Sequence, residues 1–90
     1  MNTFRLIVAS PDGRLFDGQA EMLTLRGAEG DLAVMAGHAP FVTTVRSGPC
    51  RVHLPGGEVR QGMPDGGLLT VDQEKTTLLC AGFSWTEQEA

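Results

Sequence analysis

Turn-forming residues recur along this chain at intervals too short for helices. The stretches "SPDG", "GAEG", "AGHAP", "SGP", "LPGGE", "MPDGG" and "VDQE" divide it into apolar runs of strand length. Glycine and proline are the residues that most often end a regular element. The runs between them include "FRLIVA", "AEMLTL", "DLAVMA", "FVTTVR", "CRVHL", "EVRQGM", "LLTV" and "KTTLLCA". Several alternate as a half-buried strand must. Phe4, Leu6 and Val8 fall on one side, and so do Val59, Gln61 and Met63. Cys50, Val52 and Leu54 oppose Arg51 and His53. No segment holds a helical period for three turns, and the closing "TEQEA" tolerates a helix only as a stub. Short strands with a turn signal about every 6 to 12 residues predict an all-β sandwich or barrel. "LPGGEV" suits a tight hairpin, whose backbone needs the positive φ that glycine supplies. Gly30 and Asp31 are poor residues for a strand interior and are expected in an exposed turn.

Ninety residues indicate one domain, expected over residues 1–85 with a short stub at 86–90. The formal charge is −4. Arg5, Arg14, Arg26, Arg46, Arg51 and Arg60 are scattered rather than clustered, so nucleic acid, whose phosphates such a field repels, is not an expected partner. No apolar run approaches the ~20 residues that span a bilayer as a helix. "MNTFRLIVASPDG" has no basic region ahead of its apolar run and reads as a strand rather than a signal peptide, so a cytosolic setting without membrane insertion is expected. Cys50 and Cys80 each sit in an apolar alternation and are expected as buried, reduced thiols.

The residues that could carry chemistry do not assemble into a known constellation. Cys50 and His53 are three apart on an alternating strand, so they point to opposite faces and cannot chelate one ion. A structural zinc site needs four closely spaced ligands, and that spacing is absent. There is no G-x-S-x-G elbow, and "GAEGDLAV" lacks the Gly-Lys-Ser/Thr of a phosphate loop. Glu29 and Asp31 stand two apart in a small polar loop, with no apolar pocket to raise either pKa. His38, in Gly-His-Ala-Pro, reads as a turn residue whose ring packs or donates a hydrogen bond. Gly37 permits the turn, and Pro40 holds Ala39 extended ahead of the next strand. A domain without catalytic residues, metal or cofactor is therefore expected.

An ordered set of short motifs resembles one family. Gly27-Ala-Glu-Gly-Asp-Leu is followed by Gly37-His-Ala-Pro and then by a threonine-containing apolar strand ending at "SGP". "LIVASPDGRLFDGQAEMLTLRG" precedes this set and "PDGGLLTVDQEKTTLLCAG" follows it. Together, from about Phe4 to Ala81, they resemble the N-terminal domain of the epsilon subunit of F-type ATP synthases. Ala33, Ala36 and Ser47 depart from the residues usual there. The resemblance implies a ten-stranded β-sandwich of two antiparallel sheets. It implies a non-catalytic rotor part, monomeric when isolated, that links the gamma subunit to the c-ring on the cytoplasmic face of the bacterial membrane. It places Glu29, Gly30 and Asp31 toward the c-ring, and Ser10, His38 and Thr43 toward gamma. Many members continue into a helical hairpin. This sequence ends at "SWTEQEA", so inhibition and ATP sensing are not transferred to it. The rival reading is a stand-alone ligand- or carbohydrate-binding sandwich, for which Phe83 and Trp85 would have to form the aromatic platform.

Overall fold

The computed structural model of the chain describes residues 2–86, and every regular element among them is a strand. These are β1 (Phe4–Ser10), β2 (Gly13–Ala20), β3 (Met22–Gly27), β4 (Gly30–Met35), β5 (Phe41–Val45), β6 (Cys50–His53), β7 (Val59–Pro64), β8 (Gly67–Val71), β9 (Thr76–Cys80) and β10 (Phe83–Thr86). The strand that reaches Thr86 runs one residue past the expected domain limit. The remainder of the expected stub lies outside the described residues. "LPGGEV" forms the β6–β7 hairpin, with Gly56 and Gly57 at φ of 93° and 97°.

Ladder pairing follows the order β10-β7-β6-β3-β5-β8-β9-β1-β2, with β4 on the other edge of β3. Two layers result. Sheet I is β4-β3-β6-β7-β10 and sheet II is β5-β8-β9-β1-β2. They are continuous at one corner, where the end of β3 meets β5 through Gly27 and Val45. Flanking backbone bonds secure that corner: Arg46 N–H donates to Arg26 C=O at 2.9 Å, and Ala28 N–H to Thr44 C=O at 3.0 Å. The ten-stranded all-β architecture is the expected one. The sheets are not purely antiparallel, because β1 and β9 run parallel, from Leu6↔Thr76 to Ala9↔Leu79. Strands so far apart in sequence are not joined by a hairpin, so nothing obliges them to run in opposite senses.

The inner faces meet in a core led by Leu6, Val8, Leu23, Val34, Val52, Leu69 and Leu78, each 1% exposed or less. Burying an aliphatic side chain of this size contributes about 1.5–3 kcal/mol. Cys50 and Cys80 are free and buried in the same core. Burial pushes both thiols up to about 11, as desolvation of a thiolate requires.

The second corner, between β2 and β10, has no ladder among the described residues. Side chains close it instead. Trp85 meets Phe83 edge-on at 4.9 Å between centroids and Phe16 at 6.3 Å, both within the range of favourable aromatic pairs. The Arg60 guanidinium lies 3.8 Å from the Trp85 ring centroid, a cation–π distance. Gly62, opposite Trp85, has the Phe83 ring over its Cα where a Cβ would collide with it. The aromatic ring covers the bare backbone of that strand.

β2 carries an irregularity that matters below. Val8 pairs with Phe16, but Ala9 pairs with Arg14, which leaves Leu15 as an extra residue. This is a β-bulge. Leu15 and Phe16 both pack against the core, so Arg14 and Asp17 emerge together on the outer face.

Candidate partner-docking surface

The alternation of each strand decides which residues a partner could touch. Glu29 lies in the two-residue connection between β3 and β4, and both it and Gly30 are exposed. Gly30 and Asp31 are not turn residues as expected. They open β4, in register with Gly27 and Arg26, because the connection closes within Ala28 and Glu29. The Asp31 side chain is 84% exposed, and Arg26 stands 3.7 Å from it. Across the same outer face of sheet I lie Thr24, Arg51 and Gln61, paired strand to strand. Arg51 Nε donates to Gln61 Oε1 at 3.3 Å. This face is mainly polar and charged, with Met35, 54% exposed, and Met63, 42% exposed, standing apart on β4 and β7.

His38 sits at the opposite end of β4 from the acidic hairpin. Gly37, at φ 84°, turns the chain, and His38 N–H donates to Met35 C=O at 3.2 Å. The imidazole stacks on Phe41, 4.8 Å between centroids, and Nδ1 lies 2.8 Å from Ala39 C=O, to which it donates. The ring therefore does two local jobs, packing and tying the turn, while staying exposed. It borders a groove of about 500 Å3 lined in part by Thr3, Gln19, Met35, Asp72 and Lys75. Across that groove the backbone N–H groups of Lys75 and Glu74 both donate to the Asp72 carboxylate, at 2.8 and 2.7 Å, and these bonds hold its pKa below the ordinary value.

The three residues expected to face gamma are not brought together. Ser10 ends β1 at the opposite end of sheet II from His38, and its Oγ accepts from Asp12 N–H at 3.2 Å to fix the β1–β2 turn. Thr43 pairs with the fully buried Leu69. Directly opposed residues share a face, so the Thr43 side chain points inward and is half-buried. Its neighbours Val42 and Thr44 take the outward positions.

What those three residues bracket is an uncharged sheet face. On one rung stand Thr44, Leu68, Leu79 and Ala9, and on the next Val42, Thr70, Thr77 and the 6% exposed Ile7. Val42 is 61% exposed, Leu79 50% and Leu68 40%. Single exposed apolar residues need no explanation, but Val42, Leu68 and Leu79 stand on three adjacent strands, and a contiguous apolar group is the usual mark of an interaction surface. The sequence reading passed over Val42, Leu68 and Leu79. A signal was there: "GLLTV" and "TTLLC" each hold a leucine doublet, and strict alternation forces one member of each doublet outward.

The edge of this face along β2 is charged. Asp17, in register with Ile7, accepts Arg5 Nε at 3.1 Å and an Arg5 terminal nitrogen at 3.0 Å, and Arg14 at 2.8 Å. The hydrogen bonds from Arg5 hold the Asp17 carboxyl below its ordinary pKa. On the other side of the sandwich Phe83 and Trp85 are occupied in the corner closure, so they form no open aromatic platform. Among the described residues no three of His, Cys, Asp and Glu are gathered as metal ligands would be.

Comparison with known proteins gives one answer. The family described as ATP synthase, Delta/Epsilon chain, beta-sandwich domain matches residues 3–86. The ATP synthase epsilon chain of Caldicellulosiruptor saccharolyticus is 35% identical over 88 residues, covering 98% of this chain and 64% of that protein. The sodium-ion-specific ATP synthase epsilon chain of Propionigenium modestum is 40% identical over 79 residues, covering 88% and 57%. This chain thus spans roughly three-fifths of the relatives' length. A chain in the Euglena gracilis mitochondrial ATP synthase structure, comprising OSCP, F1 and c-ring, superposes with a TM-score of 0.87 at 22% identity. That match covers 92% of this chain and 53% of that one. A chain of the Tetrahymena thermophila mitochondrial central stalk and c-ring superposes at 0.76 with 13% identity, covering 92% and 66%. The fold, the strand count and the matched family agree: this chain belongs to the delta/epsilon-chain β-sandwich family of ATP synthases.

Proposed function

We propose that this chain is a non-catalytic central-stalk subunit of an F-type ATP synthase, joining the gamma subunit to the c-ring at the cytoplasmic face of a bacterial membrane. The observation that carries this reading is the uncharged outer face of sheet II, built on Val42, Leu68 and Leu79. Family membership supports it, and so does the difference between the two outer faces.

In this reading gamma covers sheet II. Apolar burial there supplies the holding energy, at about 25 cal/mol per Å2 removed from water. The β3–β4 hairpin, with Glu29, Gly30 and Asp31, meets the ring loops at the end of the sandwich. Exposed ion pairs are worth ~0–1 kcal/mol each, so the hairpin orients docking while sheet II retains the partner. Ser10, His38 and Thr43 are the residues expected toward gamma, and in this reading they border the covered face. Because the Thr43 side chain points inward, this reading has Val42 and Thr44 beside it make the contact, with Ser10 and His38 shaping turns at the two ends of the face. A close-packed sandwich then passes torque between its partners without yielding, because interiors at this density have low compressibility.

The test is direct association with the cognate gamma subunit, by native mass spectrometry and surface binding. A one-to-one complex is expected, and Leu79→Asp is expected to abolish it while leaving the melting temperature close to that of the parent. A folded chain that shows no association with gamma at micromolar concentration refutes the proposal.

A further inference from the structure

We propose that the partner surface covering sheet II presents an acidic side chain to Arg14 and Arg5, at the β2 border of the uncharged face. This rests on the reading that a protein partner covers that face, and it adds what chemistry the partner must bring.

The first observation is the bulge. Residues three apart on a regular strand point to opposite faces, yet Arg14 and Asp17 are bonded at 2.8 Å. Leu15, the extra residue, turns the strand so that both emerge on the outer side. Without it, Arg14 would not stand beside Asp17. The fold thereby gathers a second guanidinium at a point where Arg5 already binds both oxygens of one carboxylate, with two bonds of 3.0 and 3.1 Å.

The second observation is the charge count. Two arginines share one aspartate, so the group carries one positive charge in excess. Among the described residues no other carboxylate lies within ion-pair distance of either arginine. In open water this excess is harmless, since both arginine side chains are about half exposed or more. Under a partner it is not.

The third observation is position. Asp17 is in register with Ile7 and Arg14 with Ala9, and these two begin the rungs that run on to Thr77 and Leu79. A surface that buries Leu79 and Ala9 also strips water from Arg14. Asp17 offsets only one of the two guanidinium charges, and a net charge stripped of water without a counter-charge is destabilising, whereas a matched one holds register and speeds encounter. A carboxylate from the partner completes a square of two cations and two anions. Arginine suits that role because its planar donors bind a carboxylate in a fixed geometry.

The experiment measures association of this chain with the cognate gamma subunit across a range of ionic strength, for the parent, Arg14→Gln, Arg14→Glu and Leu79→Asp. Thermal melts would establish that each variant is folded. The parent association rate is expected to fall with salt. Arg14→Glu should slow association about tenfold at low salt and flatten that dependence, with Arg14→Gln in between. Reversing one acidic residue on gamma to lysine should restore the Arg14→Glu rate. If Leu79→Asp abolishes binding while Arg14→Glu leaves rate and salt dependence unchanged, the acidic contact is wrong and the docking face stands. If Leu79→Asp also leaves binding unchanged, the docking face itself is wrong and the acidic contact falls with it. Anionic phospholipid vesicles serve as a separate arm. Binding to them that Arg14→Glu removes, with the gamma salt dependence intact, would assign the excess charge to a membrane surface and overturn the proposal.

Discussion

The two sheets have matching insides and contrasting outsides. Leu23 and Val52 of sheet I face Leu69 and Leu78 of sheet II across one core, all fully buried. Outside, sheet I presents Arg26, Asp31, Arg51 and Gln61 with two separated methionines, Met35 and Met63, whereas sheet II presents Val42, Leu68, Leu79 and a row of threonines. Solubility alone would favour the first pattern on both sides. What sets sheet II apart is adjacency: Leu68 and Leu79 stand side by side on paired strands, whereas the exposed Met35 and Met63 of sheet I stand on β4 and β7, which are not neighbours. The contrast is sharpest inside the leucine doublets, where neighbouring residues of one type serve folding and recognition separately.

That doublet gives the strongest way to break the comparison. Leu78→Ala is expected to destabilise the fold by about 2–5 kcal/mol, the usual range for a buried leucine that leaves a cavity, read by chemical denaturation. Leu79→Ala, one residue on, should stay within about ±0.5 kcal/mol. Comparable losses at both positions would mean that the outer face contributes to the core.

The two corners offer a second contrast, backbone bonds at β3–β5 against aromatic contacts at β2–β10. Trp85→Ala should lower stability by about 1–3 kcal/mol through lost apolar burial and ring pairing. It should also raise amide exchange in β10 before any other strand. Uniform exchange across the sandwich would show that the aromatic corner is no weaker than the bonded one.

A smaller effect follows from the buried thiols. Both are held protonated to about 11 against an ordinary 9.0. The unfolded chain therefore loses these protons first, and the native state binds more of them between those values. Stability is fully present below 9.0 and should decline as pH rises toward 11, following the difference in bound protons. A melting temperature that stays flat over that interval in the parent would contradict the burial of Cys50 and Cys80. The smallest effect belongs to the charged side. Asp31→Lys should shift stability by no more than about ±0.5 kcal/mol, yet weaken coupling of ATP hydrolysis to ion pumping in reconstituted vesicles. Unchanged coupling would leave Asp31 as a solvated residue beside Arg26.

The fold was readable because turn chemistry and alternation are local. "LPGGEV" had to be a hairpin, and Phe4, Leu6 and Val8 had to share a face, whatever the rest of the chain did. The parallel β1–β9 pairing was not readable, since it joins residues some 70 apart with no local signature. The docking face was readable only in part. His38 was rightly read as a turn residue that packs and donates a hydrogen bond. Thr43 is expected toward gamma on resemblance alone, and its phase with the buried Val45 turns its side chain inward. The Asp17 triad was beyond reach, because a bulge at Leu15 leaves no mark that distinguishes it from regular alternation.

The parallel pairing also orders how the domain can be made. During synthesis β1 emerges first, and its hairpin with β2 can form at once. Its other neighbour, β9, does not exist until some 70 further residues have been made. Sheet I has nearly all its strands by Pro64, but sheet II must wait for residue 80 with β1 already in the open. The late layer is the one with leucines on its exterior. For this domain the interval between the appearance of β8 and the docking of β9 is when aggregation is most to be expected. A ready partner shortens the time those leucines face water.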